Sequence, residues 1–125
     1  MNLVDSSAWL EYFAEGPNAN FFAPAIEKTR DLIVPTVVLF EVYKRVSVQR
    51  GSHAALRAAS TLHLGRLVDL TASLALSAAR ISQSEKLPMA DSIILASARA
   101  FEAVIWTQDA DFKRLPNVKF RPKRR

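Results

Sequence analysis

A chain of 125 residues with 50% hydrophobic content has length for one compact domain with a buried core and none to spare for a second. The absence of cysteine excludes a disulfide framework, a thiolate metal site and a cysteine nucleophile, and two histidines, His53 and His63, are too few for a typical zinc site. Seventeen Lys and Arg against twelve Asp and Glu leave a net charge of +5, which favours a polyanionic partner over an acidic or neutral one.

The opening stretch "MNLVDSSAWLEYF" lacks a basic leader, and no apolar run approaches the roughly 20 residues of a membrane span, so a cytoplasmic chain is expected. "NLV" (2–4) is the first strand candidate. A helix follows over 6–15, where Trp9, Tyr12 and Phe13 fall at i, i+3 and i+4, the spacing of a core-facing row. Segment 18–30 is a weaker helical pattern. "LIV" (32–34) is the second strand, and "PTVVLFEVYKRVSVQR" reads as a helix that opens on Pro35 and Thr36 and closes near Gly51. Segment 53–64 is again weakly helical. Then come a strand "RLVDL" (66–70), helices over 71–85 and 88–102, and strands "AVIW" (103–106) and "VKF" (118–120). Short strands separated by helices predict mostly parallel pairing in an α/β sandwich. The tail "KFRPKRR" concentrates part of the positive charge, and its last four residues read equally well as a solvated, frayed terminus.

In such a sheet the ligand crevice lies beyond the carboxyl ends of the strands. Asp5 falls just after "NLV" and Asp109 three residues after Trp106, so both reach that edge. Either could simply cap the helix or turn that follows it. Glu41 is set among Val37, Val38 and Val42, an apolar surround for a carboxylate, and its plainest role is an i, i+4 pair with Arg45. Asp91 heads the row Ile94, Leu95, Ala98. A first-turn acid gains about 0.3–1 kcal/mol from the helix dipole, which does not account for its place on the apolar face. Four carboxylates from four segments, converging in a partly desolvated cleft, repel one another unless a cation supplies the missing attraction. Oxygen ligands without histidine or cysteine suit Mg²⁺ or Mn²⁺. Lys44, Arg45, Lys86, Arg99, Lys113 and Arg114 are candidates for a basic rim that draws in phosphates. Only three glycines are present, with neither a Gly-x-Gly-x-x-Gly turn nor a P-loop, so nucleotide-cofactor readings fall away; His53 and His63 are expected at the surface or in helix packing.

"VDSSAWLEYF", "PTVVLFEVYKR", "LPMADSIILASARAF" and "IWTQDADF", in that order, resemble the successive signature segments of the PIN-domain family and, more narrowly, of VapC-type toxins from toxin–antitoxin pairs. The resemblance covers essentially the whole chain, and it implies a single PIN-like nuclease domain over 1–125. The implied fold is a three-layer α/β/α sandwich around a mainly parallel five-stranded sheet. The implied activity is Mg²⁺-dependent endoribonuclease, with Mn²⁺ as a substitute ion, leaving a 5′-phosphate and a 3′-hydroxyl. Residue by residue, the family's acidic positions fall on Asp5, Glu41, Asp91 and Asp109. Asp5, Asp91 and Asp109 are the expected metal ligands, and Glu41 either holds the metal or orients the attacking water. Asp111 is an accessory acid, Thr107 the polar neighbour, and Ser6 the residue that orients the first aspartate. The implied partners are RNA and a small VapB-like antitoxin whose tail places an arginine or lysine against the acids and apolar side chains along Trp9–Phe13 and Val37–Val46. A homodimer is the expected assembly. Two other readings compete: a metal-free basic nucleic-acid-binding module, which leaves four cleft carboxylates repelling its ligand, and a phosphoacceptor signalling domain, to which Glu41 inside a helix is ill suited.

Overall fold

The computed structural model describes residues 1–124. Arg125, the last residue of the basic tail, lies outside them. Five strands form one sheet: β1 Asn2–Val4, β2 Leu32–Pro35, β3 Arg66–Val68, β4 Val104–Thr107 and β5 Val118–Phe120. Their order is β3-β2-β1-β4-β5, and every neighbouring pair is parallel. Six α-helices accompany them: α1 Ser6–Phe13, α2 Ala19–Glu27, α3 Thr36–Arg50, α4 Ser52–Leu62, α5 Ala72–Glu85 and α6 Met89–Ala100. Two 3-10 turns, Thr29–Asp31 and Ala110–Phe112, precede β2 and follow β4.

Successive residues of a strand point to opposite faces. Leu3 and Val4 of β1, and Leu32, Ile33 and Val34 of β2, are all buried, so helices cover the sheet on both sides and the layers are α/β/α. The edge strands β3 and β5 carry the exposed positions. Val38, Val42 and Val46 make a buried stripe at four-residue spacing along α3, and α6 is buried from Ser92 through Ala98. No helix among the described residues is long and apolar enough to cross a membrane.

The connectivity fixes where a crevice can open. From β1 the chain steps outward to β2 and β3, then returns to the other side of β1 for β4 and β5. The reversal lies between β1 and β4, and loops that leave these two strands part in opposite directions there.

Several boundaries differ from the sequence reading for local reasons. The third strand stops at Val68, before exposed Asp69 and Leu70. The fourth runs from Val104 to Thr107 rather than 103–106, because the N–H of Ala103 donates to the Ala98 carbonyl at 2.8 Å and so belongs to the end of α6. Helix α1 ends at Phe13, two residues short of Glu15, whose φ of 53° no helix continues. Segment 18–30 resolves into α2 and a separate 3-10 turn. Pro24 sits inside α2 and weakens its pattern, while burial of Phe22, Ala25 and Ile26 holds the helix in place. Of the last four residues Pro122 is held rather than frayed: its carbonyl accepts from Asn18 at 2.9 Å, directly after the Arg121 N–H donates to the Thr107 carbonyl at 3.1 Å.

Trp9 anchors α1 in the core, fully buried, stacked on Phe13 at 5.6 Å between ring centroids and edge-on to Tyr12 at 6.4 Å. Trp9→Ala is expected to lower the unfolding free energy by about 3–5 kcal/mol, measured by urea denaturation. A loss under about 1 kcal/mol would contradict this packing.

Candidate active site

Asp5 is the residue between β1 and α1, and its backbone N–H still donates across to the Trp106 carbonyl of β4 at 3.1 Å. Its side chain caps α1: Oδ1 accepts from the Ala8 N–H at 3.1 Å and from the Ser7 hydroxyl at 2.7 Å. Oδ2 accepts from the Thr107 hydroxyl at 2.5 Å. The same Thr107 oxygen accepts the Asp109 N–H at 2.8 Å, so one buried hydroxyl ties the acid after β1 to the acid after β4. Asp109 in turn caps the 3-10 turn, with Oδ1 accepting from the Asp111 N–H at 2.9 Å. Both aspartates are caps, and both also reach the crevice.

Asp91 projects from the first turn of α6, and oxygens of Asp91, Asp109 and Asp111 lie within 4.8 Å of one another. Burial pushes the Asp91 carboxyl up to about 8; the negative charge of Asp109, a hydrogen bond with Asp111 and the charges of Asp111 and Asp5 add to it. Asp5 is pushed up to about 6 by burial, against the pull of its bonds from Thr107, Ser7 and Ala8, with a further push from Asp109. Glu41 is half-buried on α3 and is raised by burial and by the Asp109 charge, partly offset by the Ser6 hydroxyl. Its Oε1 is buried without a hydrogen-bond partner. Five carboxylates, from the residue between β1 and α1, from α3 and α6, and from the segment after β4, thus share one electrostatic neighbourhood.

That arrangement departs from the sequence reading in four respects. The tightest cluster includes Asp111, expected only as an accessory, whereas Asp5, expected among the ligands, has both oxygens engaged by protein donors. Ser7, not Ser6, orients Asp5, because a cap side chain faces the second and third residues of its helix rather than the first; Ser6 turns to Glu41. Glu41 makes no ion pair with Arg45; the ion pairs among the described residues are Arg99–Glu85 at 3.8 Å and Arg114–Glu85 at 3.6 Å. Gln108 was not anticipated. Its N–H donates to the Ser7 hydroxyl at 3.1 Å and its amide to the Ser7 carbonyl at 3.3 Å, a role set by the approach of two distant segments.

The basic residues fall on both sides of the acids. Lys86, Lys113 and Arg114 line a cleft that includes Asp111, and Lys44 and Arg45 line another that includes Glu41. His53 and His63 are exposed on and after α4. Donors of oxygen only, a repelling acid trio and an orphaned carboxylate oxygen together fit a hard divalent cation.

The PIN domain profile matches residues 3–118 of the sequence. The chain belongs to the PIN domain family. No curated protein matches the sequence significantly. Among solved structures, this PIN domain is similar to one in a toxin-antitoxin complex from Klebsiella pneumoniae, with a TM-score of 0.80 at 21% identity, covering 95% of this chain and 96% of the other. It is similar to the Mycobacterium tuberculosis VapC20, a sarcin-ricin loop cleaving toxin, with a TM-score of 0.76 at 18% identity over 93% and 95% of the two chains. A chain of Rickettsia felis VapBC2 bound to a fragment of its promoter DNA aligns with a TM-score of 0.74 at 17% identity, over 97% of each chain.

Raised carboxyl pKa values carry a sign for stability. Between the ordinary value of 3.8 and the folded values of about 6 for Asp5 and about 8 for Asp91, the folded chain binds more protons than the unfolded one. Stability of the metal-free PIN domain therefore falls as pH rises through that window. The melting temperature in EDTA is expected to drop between pH 5 and pH 8, and Asp91→Asn should flatten the profile. A wild-type profile that rises over the same range would overturn the assignment of these shifts.

Proposed function

We propose that this PIN domain is a Mg²⁺-dependent endoribonuclease of the VapC toxin type, restrained by a cognate antitoxin in the cytoplasm. The observation that carries the reading is the meeting of Asp91, Asp109 and Asp111 within 4.8 Å, bordered by Asp5 and by the free Glu41 oxygen, in a chain of net charge +5. Asp91, Asp109 and Asp111 would hold the cation, with Asp5 stabilising it from behind. Once bound, Mg²⁺ supplies charge to polarise a phosphoryl oxygen and lowers the pKa of a water toward neutrality. Glu41 would be the acceptor that orients an attacking water, because its Oε1 is, among the described residues, a buried carboxylate oxygen without a hydrogen-bond partner. Thr107 keeps Asp5 and Asp109 at fixed separation. In-line attack at phosphorus would leave a 5′-phosphate and a 3′-hydroxyl, and the flanking basic clefts would guide the negatively charged strand.

The variants Glu41→Gln and Asp91→Asn keep side-chain shape and remove charge. Each is expected to fold and to lose about 100-fold or more of Mg²⁺-dependent cleavage of a mixed RNA pool. Turnover near wild type in either folded variant would sink the assignment. Asp111→Asn removes one charge of the trio and should raise the Mg²⁺ concentration needed for half-maximal rate.

The partner reading rests on the structural neighbours, which include a toxin-antitoxin complex and VapBC2 bound to DNA, and on a groove of about 320 Å³ between α1, α3 and α4. Leu10, Phe13, Val46 and Ala58 supply its apolar lining, and Arg50 and Arg57 also line it. An antitoxin tail lying there would set its apolar side chains against this groove and a cationic side chain toward the acids. The expected homodimer belongs to the same reading, with exposed Phe40, Leu76 and Met89 offering apolar surface. Expression of the wild-type chain alone should slow growth, while Asp91→Asn protein should be harmless and still capture the antitoxin. Normal growth with soluble, folded wild-type protein and no partner would point to a housekeeping nuclease instead.

A further inference from the structure

Asn18 is 1% exposed, and its side-chain amide nitrogen donates in two directions, to the Gln108 side-chain carbonyl at 2.7 Å and to the Pro122 backbone carbonyl at 2.9 Å. Gln108 continues through its bonds to Ser7, and Ser7 donates to Asp5. The C-terminal segment is therefore wired to the candidate active site through three residues, Asn18, Gln108 and Ser7. Asn18 itself is held by its N–H, which donates to Glu11 Oε2 at 2.7 Å, and the Glu11 carboxylate packs so closely on Gly16 that a Cβ there would stand 2.4 Å from it. Two further restraints act on Arg121: its N–H extends the β5 pairing to Thr107, and its guanidinium lies 4.2 Å from the centroid of the Phe21 ring.

These restraints deliver Lys123 to a particular place. It lines a cleft of about 450 Å³ with Ser6, Ser7, Gln108 and, from α3, Arg45. Ser6, Leu10, Arg45 and Gln49 also line the cleft that holds Glu41, so the two hollows are one trough leading to the acids. Glu11 is the acidic residue of this hollow, and its carboxylate is occupied by the Asn18 N–H. Two cations from segments far apart in sequence thus line one hollow, together with the Ser6 hydroxyl, the Gln49 and Gln108 amides and the Glu11 carboxylate.

We infer that Arg45 and Lys123 form a clamp for an RNA backbone phosphate next to the scissile one, and that Asn18 is the positioning residue that holds the C-terminal segment in clamping position. This rests on the endoribonuclease reading and adds to it a phosphate subsite and the residue that sets it. A backbone tether matters because a lysine on a loose tail loses conformational freedom on binding, whereas one carried by fixed residues 121 and 122 has lost most of it already.

The test measures binding of a short fluorescein-labelled single-stranded RNA by anisotropy, in Mg²⁺ and at several salt concentrations, in the full-length chain carrying Asp91→Asn to prevent cleavage. Lys123→Ala is expected to weaken binding roughly tenfold. It should also reduce the slope of log affinity against log salt by about 0.7, the share of one phosphate contact on a single strand. Lys28→Ala removes the same charge at the opposite edge of the sheet, just before the turn that leads into β2, and should change neither quantity. Asn18→Ala should reproduce the Lys123→Ala loss, and the double variant should be little worse than either single one, since both remove the same contact. Equal curves for Lys123→Ala and Lys28→Ala would overturn the clamp and leave the two cations to acidic groups of a protein partner. Fully additive losses would overturn the tether; should Asn18→Ala fail to fold, the Lys123 and Lys28 comparison still decides the clamp. Failure of the parent reading looks different: the wild-type chain would neither bind nor cut RNA in Mg²⁺.

Discussion

Carboxylates brought within 4.8 Å of one another at the edge of a parallel sheet repel, and the architecture around them holds them there against that repulsion. Folding brings Asp91 from α6 up against Asp109 and Asp111, while Asp5, just after β1, and Glu41, on α3, add their fields. In the absence of a counter-charge the cost appears as retained protons, with the Asp91 carboxyl pushed up to about 8. A proton and a divalent cation answer the same electrostatic need. The cluster is therefore matched to a cation in a way that a pair of capping aspartates on a polar surface is not.

The scaffold keeps the acids close with few, rigid connections. Reversal of strand order between β1 and β4 opens the crevice, and Thr107, buried at the end of β4, spans it by donating to Asp5 and accepting from Asp109. A hydroxyl can do both at once, which a carboxamide or an amine of that size cannot do through a single atom. The caps serve two ends as well. Asp5 satisfies the start of α1 and Asp109 the start of the 3-10 turn, and in each case the bond fixes a rotamer that also directs charge into the crevice. Structural and chemical roles are not alternatives at these positions.

Around the acids the charge changes sign within a short distance. Lys86, Lys113 and Arg114 lie on one side, with Lys44, Arg45 and Lys123 on the other. Under the proposed function, a polyanion crossing the sheet edge would meet attraction before and after the acidic centre, where a cation would neutralise the middle. On one side the attraction is partly restrained, since Arg99 and Arg114 already bridge to Glu85, and exposed pairs of that kind are easily exchanged for phosphate.

Five strands, four of the helices and the acids at 5, 41, 91 and 109 could be read from the sequence, because periodicity, turn residues and the placement of an acid on an apolar face are local properties of a chain. Two helical segments were harder: Pro24 masks α2, which tertiary burial of Phe22, Ala25 and Ile26 sustains. The sequence by itself determined that acids would sit at the carboxyl edge of a parallel sheet in a basic protein. Only the tertiary structure decided that Asp111 completes the trio, that Ser7 rather than Ser6 holds Asp5, and that Asn18 and Gln108 carry the tail to the cleft. Those relations join residues up to 104 positions apart, through hydrogen bonds whose partners are chosen by how helices seat on the sheet, and no short-range pattern encodes that seating.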